Sequence, residues 1–197
     1  SWGQGYRYPT IAEKFINTDF STGNVVRPNP RLVSETGWTS EVGLKQGFRL
    51  GKWQGYFDLT AFVSEYQNMM EFVLAELQFF PTLGASFESQ NTGDVRIVGG
   101  EISVIGQGKI GKGNLAILTG FTGIDPKYKQ FDKDTLNYGS SDSTNVLKYR
   151  YRNQFKFDAE YSIGRFSLGG ATLYNSHMQA IDALFEFALP GVSNFRK

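Results

Sequence analysis

Taken two at a time from Leu147, the chain separates into two kinds of side chain. Leu147, Tyr149, Tyr151, Asn153, Phe155, Phe157, Ala159, Tyr161 and Ile163 are apolar or aromatic at every position except Asn153. The interleaved Lys148, Arg150, Arg152, Gln154, Lys156, Asp158, Glu160 and Ser162 are all polar, and six of them are ionisable. A β-strand projects successive side chains to opposite faces, so this pattern predicts one strand over residues 147–163. Its seventeen residues are about three times the usual ~5–6. A long strand, aromatic on one side and charged on the other, fits a transmembrane barrel with lipid outside and a polar lumen inside. On that reading Lys148, Arg150, Arg152, Lys156, Asp158 and Glu160 face the lumen.

The alternation recurs along the chain. Over residues 37–50, Trp38, Val42, Leu44, Phe48 and Leu50 oppose Thr39, Glu41, Lys45 and Arg49. Over residues 53–64, Trp53, Phe57, Leu59, Ala61 and Val63 oppose Gln54, Asp58, Thr60 and Ser64, with Tyr56 and Phe62 on the polar side. Residues 98–110 and 165–178 repeat the pattern, and residues 2–8 supply a first strand. Residues 115–124 are apolar on both sides and read as a fully buried strand.

The connections between these strands come in two kinds. Gly51-Lys52, Gly111-Lys112-Gly113 and Gly164-Arg165 are tight, and glycine supplies the positive φ that such hairpins need. Residues 9–36, 70–93 and 125–145 form connections of more than twenty residues each, in strict alternation with the tight ones. Compact soluble domains rarely carry structureless loops beyond ~12–15 residues. Outer-membrane barrels do, with short turns on the periplasmic side and long loops outside. Seven strands in a meander are therefore expected, the first running outward. Seven is an odd count with two open edges, and lipid-exposed edges are not tolerated. The chain is thus expected to be a segment of a larger barrel.

Composition narrows the function classes. No apolar run approaches the ~18–20 residues of a membrane-spanning helix. A net charge of +1 gives no reason to expect nucleic acid as a partner. Aromatic residues make up 15%, which suits interfacial girdles. There is no cysteine, so no disulfide, thiolate nucleophile or cysteine-held metal arises within the sequence.

Several spaced signatures then meet a family. Gly5, Tyr6, Arg7, Pro9 and Glu13 come first, followed by Asn29, Pro30, Leu32 and Glu35, then Glu41 and Gly43. Phe62, Tyr66 and Asn68 precede Met69-Met70, and Asn91-Thr92-Gly93 precedes Gly99-Gly100-Glu101. Ile124-Asp125-Pro126 follows, then residues 174–182 and Pro190-Gly191. In content and order these resemble the barrel of TonB-dependent outer-membrane receptors, the last two in a Bacteroidetes-like form. Val33-Ser34 departs from the family's usual Lys-Pro, and Lys197 from its usual aromatic C-terminus.

The resemblance implies an all-β, antiparallel transmembrane barrel, with about seven of some ~22 strands present in one partial domain over residues 1–197. The plug domain and the final strands are expected outside this chain. It further implies a bacterial outer-membrane location with lipid around the barrel, contact with the TonB complex through the plug, and energy-coupled import of a scarce, bulky nutrient. The alternative is a receptor-like barrel serving as a structural or docking subunit of a larger outer-membrane complex. No cofactor is expected.

Individual residues carry competing readings. Arg7 and Glu13 flank Pro9 and form either a pair that shapes the mouth and meets the plug or a solvated surface pair. The ladder Lys148, Arg150, Arg152 and Lys156 either steers anions or is a hydrated wall balanced by Glu41, Asp58 and Glu101, and the second is favoured. Ser176 and His177, the single histidine, would point to opposite faces of a strand, so no catalytic residues are assigned. One histidine without cysteine offers no metal site, and the loop bearing Asp132, Asp134 and Asp142 lacks the calcium-loop pattern. Residues 69–87 form an apolar loop, with residues 71–78 a potential short helix. Its Phe72, Phe79, Phe80 and Phe87 suit either a docking site for cargo or a surface lipoprotein, or packing on neighbouring loops.

Overall fold

The computed structural model describes residues 1–20, 23–78, 84–131 and 145–181. The elements are β1 (Trp2–Arg7), α1 (Ile11–Phe15), β2 (Thr18–Phe20), β3 (Asn24–Val26), β4 (Glu35–Leu50), β5 (Trp53–Gln78), β6 (Gly84–Ile110), β7 (Gly113–Tyr128), β8 (Asn153–Ile163) and β9 (Phe166–Asn175). The seven longer strands make an antiparallel meander in the order β1-β4-β5-β6-β7-β8-β9. The small β2–β3 hairpin joins the same sheet, β3 lying parallel to β6. Among the described residues the sheet is open, with β1 and β9 at its edges.

Turn chemistry sets the register. Gly51, Gly111 and Gly164 sit at φ +61°, +59° and +59°, each first in a two-residue turn, while the second residue (Lys52, Lys112 or Arg165) stays at negative φ. That is the type II′ hairpin, whose backbone twist matches the strands it joins.

With register fixed, paired residues share a face. One row runs Leu44, Leu59, Ile102, Phe121, Phe155, Tyr174 across six strands. All six are exposed. The adjacent row on the opposite face runs Gly43, Thr60, Glu101, Thr122, Gln154, Asn175. The sheet therefore has one apolar and one largely polar side, and among the described residues nothing covers the apolar one. From Trp53 to Val63 that side contains no charge on β5. Ten steps at ~3.3 Å are ~33 Å, or ~25 Å when the strand tilts by ~40°, which is the height of a barrel's lipid-facing band. The next same-face residue is Glu65, in register with Arg96 and Lys127. Arg96 and Lys129 both pair with Glu65.

The apolar belt ends at that charged row, but the strands continue. A bulge follows at once, with Asn68 at φ 54°, Gly93 at φ 107° opposite Met69, and a register shift between Tyr66 and Met69. β5 and β6 then rise beyond the belt as one hairpin.

Several sequence expectations are corrected. Residues 70–93 are not a loop: β5 runs to Gln78 and β6 begins at Gly84, so residues 71–78 are strand and not helix. β7 likewise continues to Tyr128, and residues 9–36 hold α1, β2 and β3. Residues 147–163 are not one strand, because β8 begins only at Asn153. Tyr149 takes φ 59°, which breaks an extended chain, and Leu147 is fully buried. Residues 115–124 are not fully buried, since Phe121 lies open on the apolar side. Ser176 and His177 lie just past the end of β9. The segment 132–144, with Asp132, Asp134 and Asp142, lies outside the described residues, as do Phe79, Phe80 and residues 182–197.

Candidate functional site

Above the belt, two pieces of chain converge on the β5–β6 hairpin. The first is the segment between β1 and β4. It opens with a capping box at α1: the Thr10 hydroxyl accepts from the Glu13 N–H at 3.2 Å, and the Thr10 N–H donates to Glu13 Oε2 at 2.8 Å. Arg7 donates to Glu13, and its other nitrogen lies 3.9 Å from Glu35. The Thr10 N–H does most to lower the Glu13 carboxyl; burial, the next effect, opposes it, and the Thr10 hydroxyl and the Arg7 guanidinium add to the lowering, so the group lies below its ordinary value. Arg7, Thr10 and Glu13 thus bond to one another at the corner where β1, which carries Gly5 and Tyr6, leaves the sheet before Pro9.

The same segment is then tied down. Asn29 donates to the Ser89 carbonyl at 2.9 Å and accepts from Arg31 N–H at 3.1 Å. Leu32 is buried, while Pro30 stays exposed. Glu35 accepts from Met70 N–H at 2.9 Å. Asn91 holds three backbone groups: it accepts from Val33 N–H at 3.0 Å and donates to the carbonyls of Val33 at 3.1 Å and Asn68 at 2.7 Å. Replacing Asn91 by Ala leaves those groups unpaired and is expected to cost the strap about 1–2 kcal/mol. Hydrogen exchange at the Val33 amide should accelerate by roughly tenfold; an unchanged rate would refute the tie.

The second piece is the segment after residue 144, lying on the polar face. Asn145 accepts from Tyr128 N–H at 2.9 Å and donates to the Tyr128 carbonyl at 2.8 Å. The Leu147 N–H donates to the Pro126 carbonyl at 3.1 Å, and Tyr149 N–H to Ala180 at 2.9 Å. The Leu147 side chain joins Val95 and Tyr128, with Tyr66, Met69, Ile97 and Phe131 around them. Among the described residues, this small core holds the fully buried Leu147 and Val95, above the membrane-level sheet. Glu71 stands beside it, accepting from Tyr128 Oη at 3.4 Å with Arg150 at 3.8 Å.

The basic ladder is accordingly dissolved. Lys148 is buried, Arg150 reaches Glu71, and Arg152 reaches Asp125 at 3.0 Å. Only Lys156, Asp158 and Glu160 remain on strand, sharing the polar face with Glu41, Lys45, Asp58 and Glu101. Lys45 sits 3.7 Å from Asp58 and 4.1 Å above the centre of the Tyr56 ring. Charges on this wall are interspersed, so it is a hydrated surface with no single sign. The Ser176 hydroxyl accepts from Arg152 and Asn153 N–H at 3.1 Å each, which makes it an end-stop for β8. Among the described residues no cluster of metal-ligating side chains occurs.

Sequence reasoning placed Arg7 and Glu13 together but missed Asn91 as a tether and did not single out Asn145 or Glu71. An asparagine that bonds backbone tens of residues away leaves no spacing signal. On the hairpin, Phe72 stacks on Phe87 at 5.7 Å with half of Phe72 exposed.

An open sheet with an uncovered apolar belt, tight turns at one end and a strapped hairpin at the other defines a piece of a membrane β-barrel. Comparison with protein families agrees: residues 1–187 match the family described as TonB dependent receptor-like, beta-barrel. The chain belongs to that family, whose members are outer-membrane receptors and transporters. The curated proteins give no match.

Proposed function

We propose that this chain forms part of the wall and outer mouth of a receptor that imports a scarce, bulky nutrient by TonB-driven displacement of a plug. The observation that carries this reading is the asymmetry about the apolar belt. At one end the strands close in two-residue turns; at the other β5 and β6 extend past the belt and are strapped by Asn29, Glu35 and Asn91. Tight turns then face the periplasm and the strapped end faces outward, where Glu71, Arg150 and the Leu147 core shape the polar-side mouth. The family-signature residues act here as architecture: they hold the mouth and do not themselves contact cargo. The test is uptake. Compounds that co-purify with the full receptor are identified by mass spectrometry and supplied to cells with and without TonB. Accumulation that needs both receptor and TonB is expected; accumulation indifferent to TonB would refute energy coupling.

One observation favours a docking role beside import. The Phe72–Phe87 stack, with Phe72 exposed, stands on the hairpin, above the lipid-facing band, where a surface lipoprotein could seat.

A further inference from the structure

The chain as a whole carries 20 basic and 19 acidic residues, yet its charge is not evenly spread. The three tight turns with their flanks, residues 49–54, 109–114 and 162–167, hold Arg49, Lys52, Lys109, Lys112 and Arg165 and no carboxylate. All five are exposed, and among the described residues none of them makes an ion pair. Arg49 only bonds the Gln54 amide oxygen at 2.9 Å. At the opposite rim the basic residues Arg96, Lys127, Lys129 and Arg152 are paired with Glu65 and Asp125. One end of the sheet is therefore neutralised from within, and the other is not.

The placement of the unpaired charges is specific. Lys52, Lys112 and Arg165 each occupy the second residue of a type II′ turn, directly after a glycine. Leu50, Ile110, Ile163 and Phe166 flank these turns on the apolar side and are exposed. The cations thus begin where the lipid-facing belt stops, at the depth of lipid headgroups. Long basic side chains at such a boundary lay their stems along hydrocarbon and keep the charge in the interface.

We infer that the tight-turn rim is a binding collar for anionic phospholipids of the leaflet it faces, the turn cations receiving the headgroup phosphates. Two observations favour lipid over an acidic protein partner. The collar is continuous with the apolar belt, so any occupant touching both must have a hydrocarbon end and an anionic end. The charges are also spread over three separate hairpins, as suits several small headgroups and not one docked surface. This inference rests on the membrane-spanning reading and is independent of the cargo.

The test uses the full receptor reconstituted in vesicles of equal parts phosphatidylethanolamine and phosphatidylglycerol. Receptor is extracted in mild detergent, and the lipid that stays with it is measured by mass spectrometry. The wild type is expected to retain phosphatidylglycerol above its share of the bilayer. One basic residue near an anionic surface contributes roughly fivefold in partitioning, so Lys52→Gln/Lys112→Gln/Arg165→Gln should reduce that enrichment by at least about tenfold. Lys45→Gln/Lys156→Gln, on the polar face and away from lipid, should leave it intact. Raising salt on the wild type should erase the enrichment through screening, and needs no variant to fold. Absence of enrichment in the inserted wild type, or enrichment that persists in the triple variant or in high salt, overturns the collar; an acidic protein as the true partner would give the first of these. Failure of the wild type to insert would instead sink the barrel reading, so the two failures are distinguishable.

Discussion

Leu59→Arg is expected to cost the assembled barrel about 2–4 kcal/mol, the penalty for a cation at the middle of a lipid-facing strand. Leu59 lies in the apolar row, between Leu44 and Ile102, and is half exposed, with nothing among the described residues to cover it. In water an exposed leucine exchanged for arginine would change stability by only about 0.5 kcal/mol. The size of the effect therefore measures the solvent on that side. Thr122→Arg makes the control, since Thr122 is on the polar face with Glu101 and Gln154 in register beside it. It should cost less than about 1 kcal/mol. Urea titration of the receptor in vesicles reads both. Equal costs for the two variants would mean that hydrocarbon does not bathe the Leu59 face, and the membrane assignment would fall.

Leu147→Ala is expected to cost about 2–5 kcal/mol, the range for deleting a fully buried leucine and leaving a cavity. Leu147 has no solvent exposure, and its neighbours Val95 and Tyr128 are buried with it. The loss should be local. Outside this core the segment is held by backbone bonds, by the Asn145 amide on Tyr128 and by the pairs of Arg150 with Glu71 and Arg152 with Asp125, and its Tyr149 sits in the left-handed region, which an L side chain occupies only when its surroundings compel it. Release of the segment should therefore precede any loss of the sheet. Hydrogen exchange at the amides of Leu147 and Tyr149 should rise by more than tenfold, while amides of β5 and β6 below the bulge stay protected. Uniform loss of protection would show instead that the core supports the whole sheet.

The sheet was legible because its physics is periodic. Leu44, Leu59 and Ile102 could be placed on one side from alternation alone, and Gly51, Gly111 and Gly164 marked the turns that fix the register. Legibility failed where the period is broken or loses its meaning. At Asn68 a bulge shifts the β5–β6 register, so a count carried upward from Val63 loses its phase. Beyond it Ser86, Glu88, Ser89, Gln90 and Asn91 are polar on both sides, since both faces of that hairpin lie beyond the lipid-facing band, and the run resembles a loop. Residues 147–152 fail in the opposite way: they alternate well but are not a strand. Leu147 is apolar because it enters a core, and Arg150 and Arg152 are charged because each meets a single carboxylate. A period of two arises from either cause. Of the candidate site, the Arg7–Glu13 corner follows from local spacing, as a capping box does. The tethers through Asn29, Asn91 and Asn145 do not, because their partners are carbonyls and amides that every residue possesses.

Each long strand after β4 pairs with the one that follows it in the chain, most of them across connections of two residues or a few. The loop entropy of forming such pairs is small and falls due one hairpin at a time. A chain of this kind can zip progressively along its length, each completed ribbon offering an edge to the next. Among the described strand pairs, the parallel contact of β3 with β6 joins the residues farthest apart in the chain, which makes the outer strap a late step of assembly.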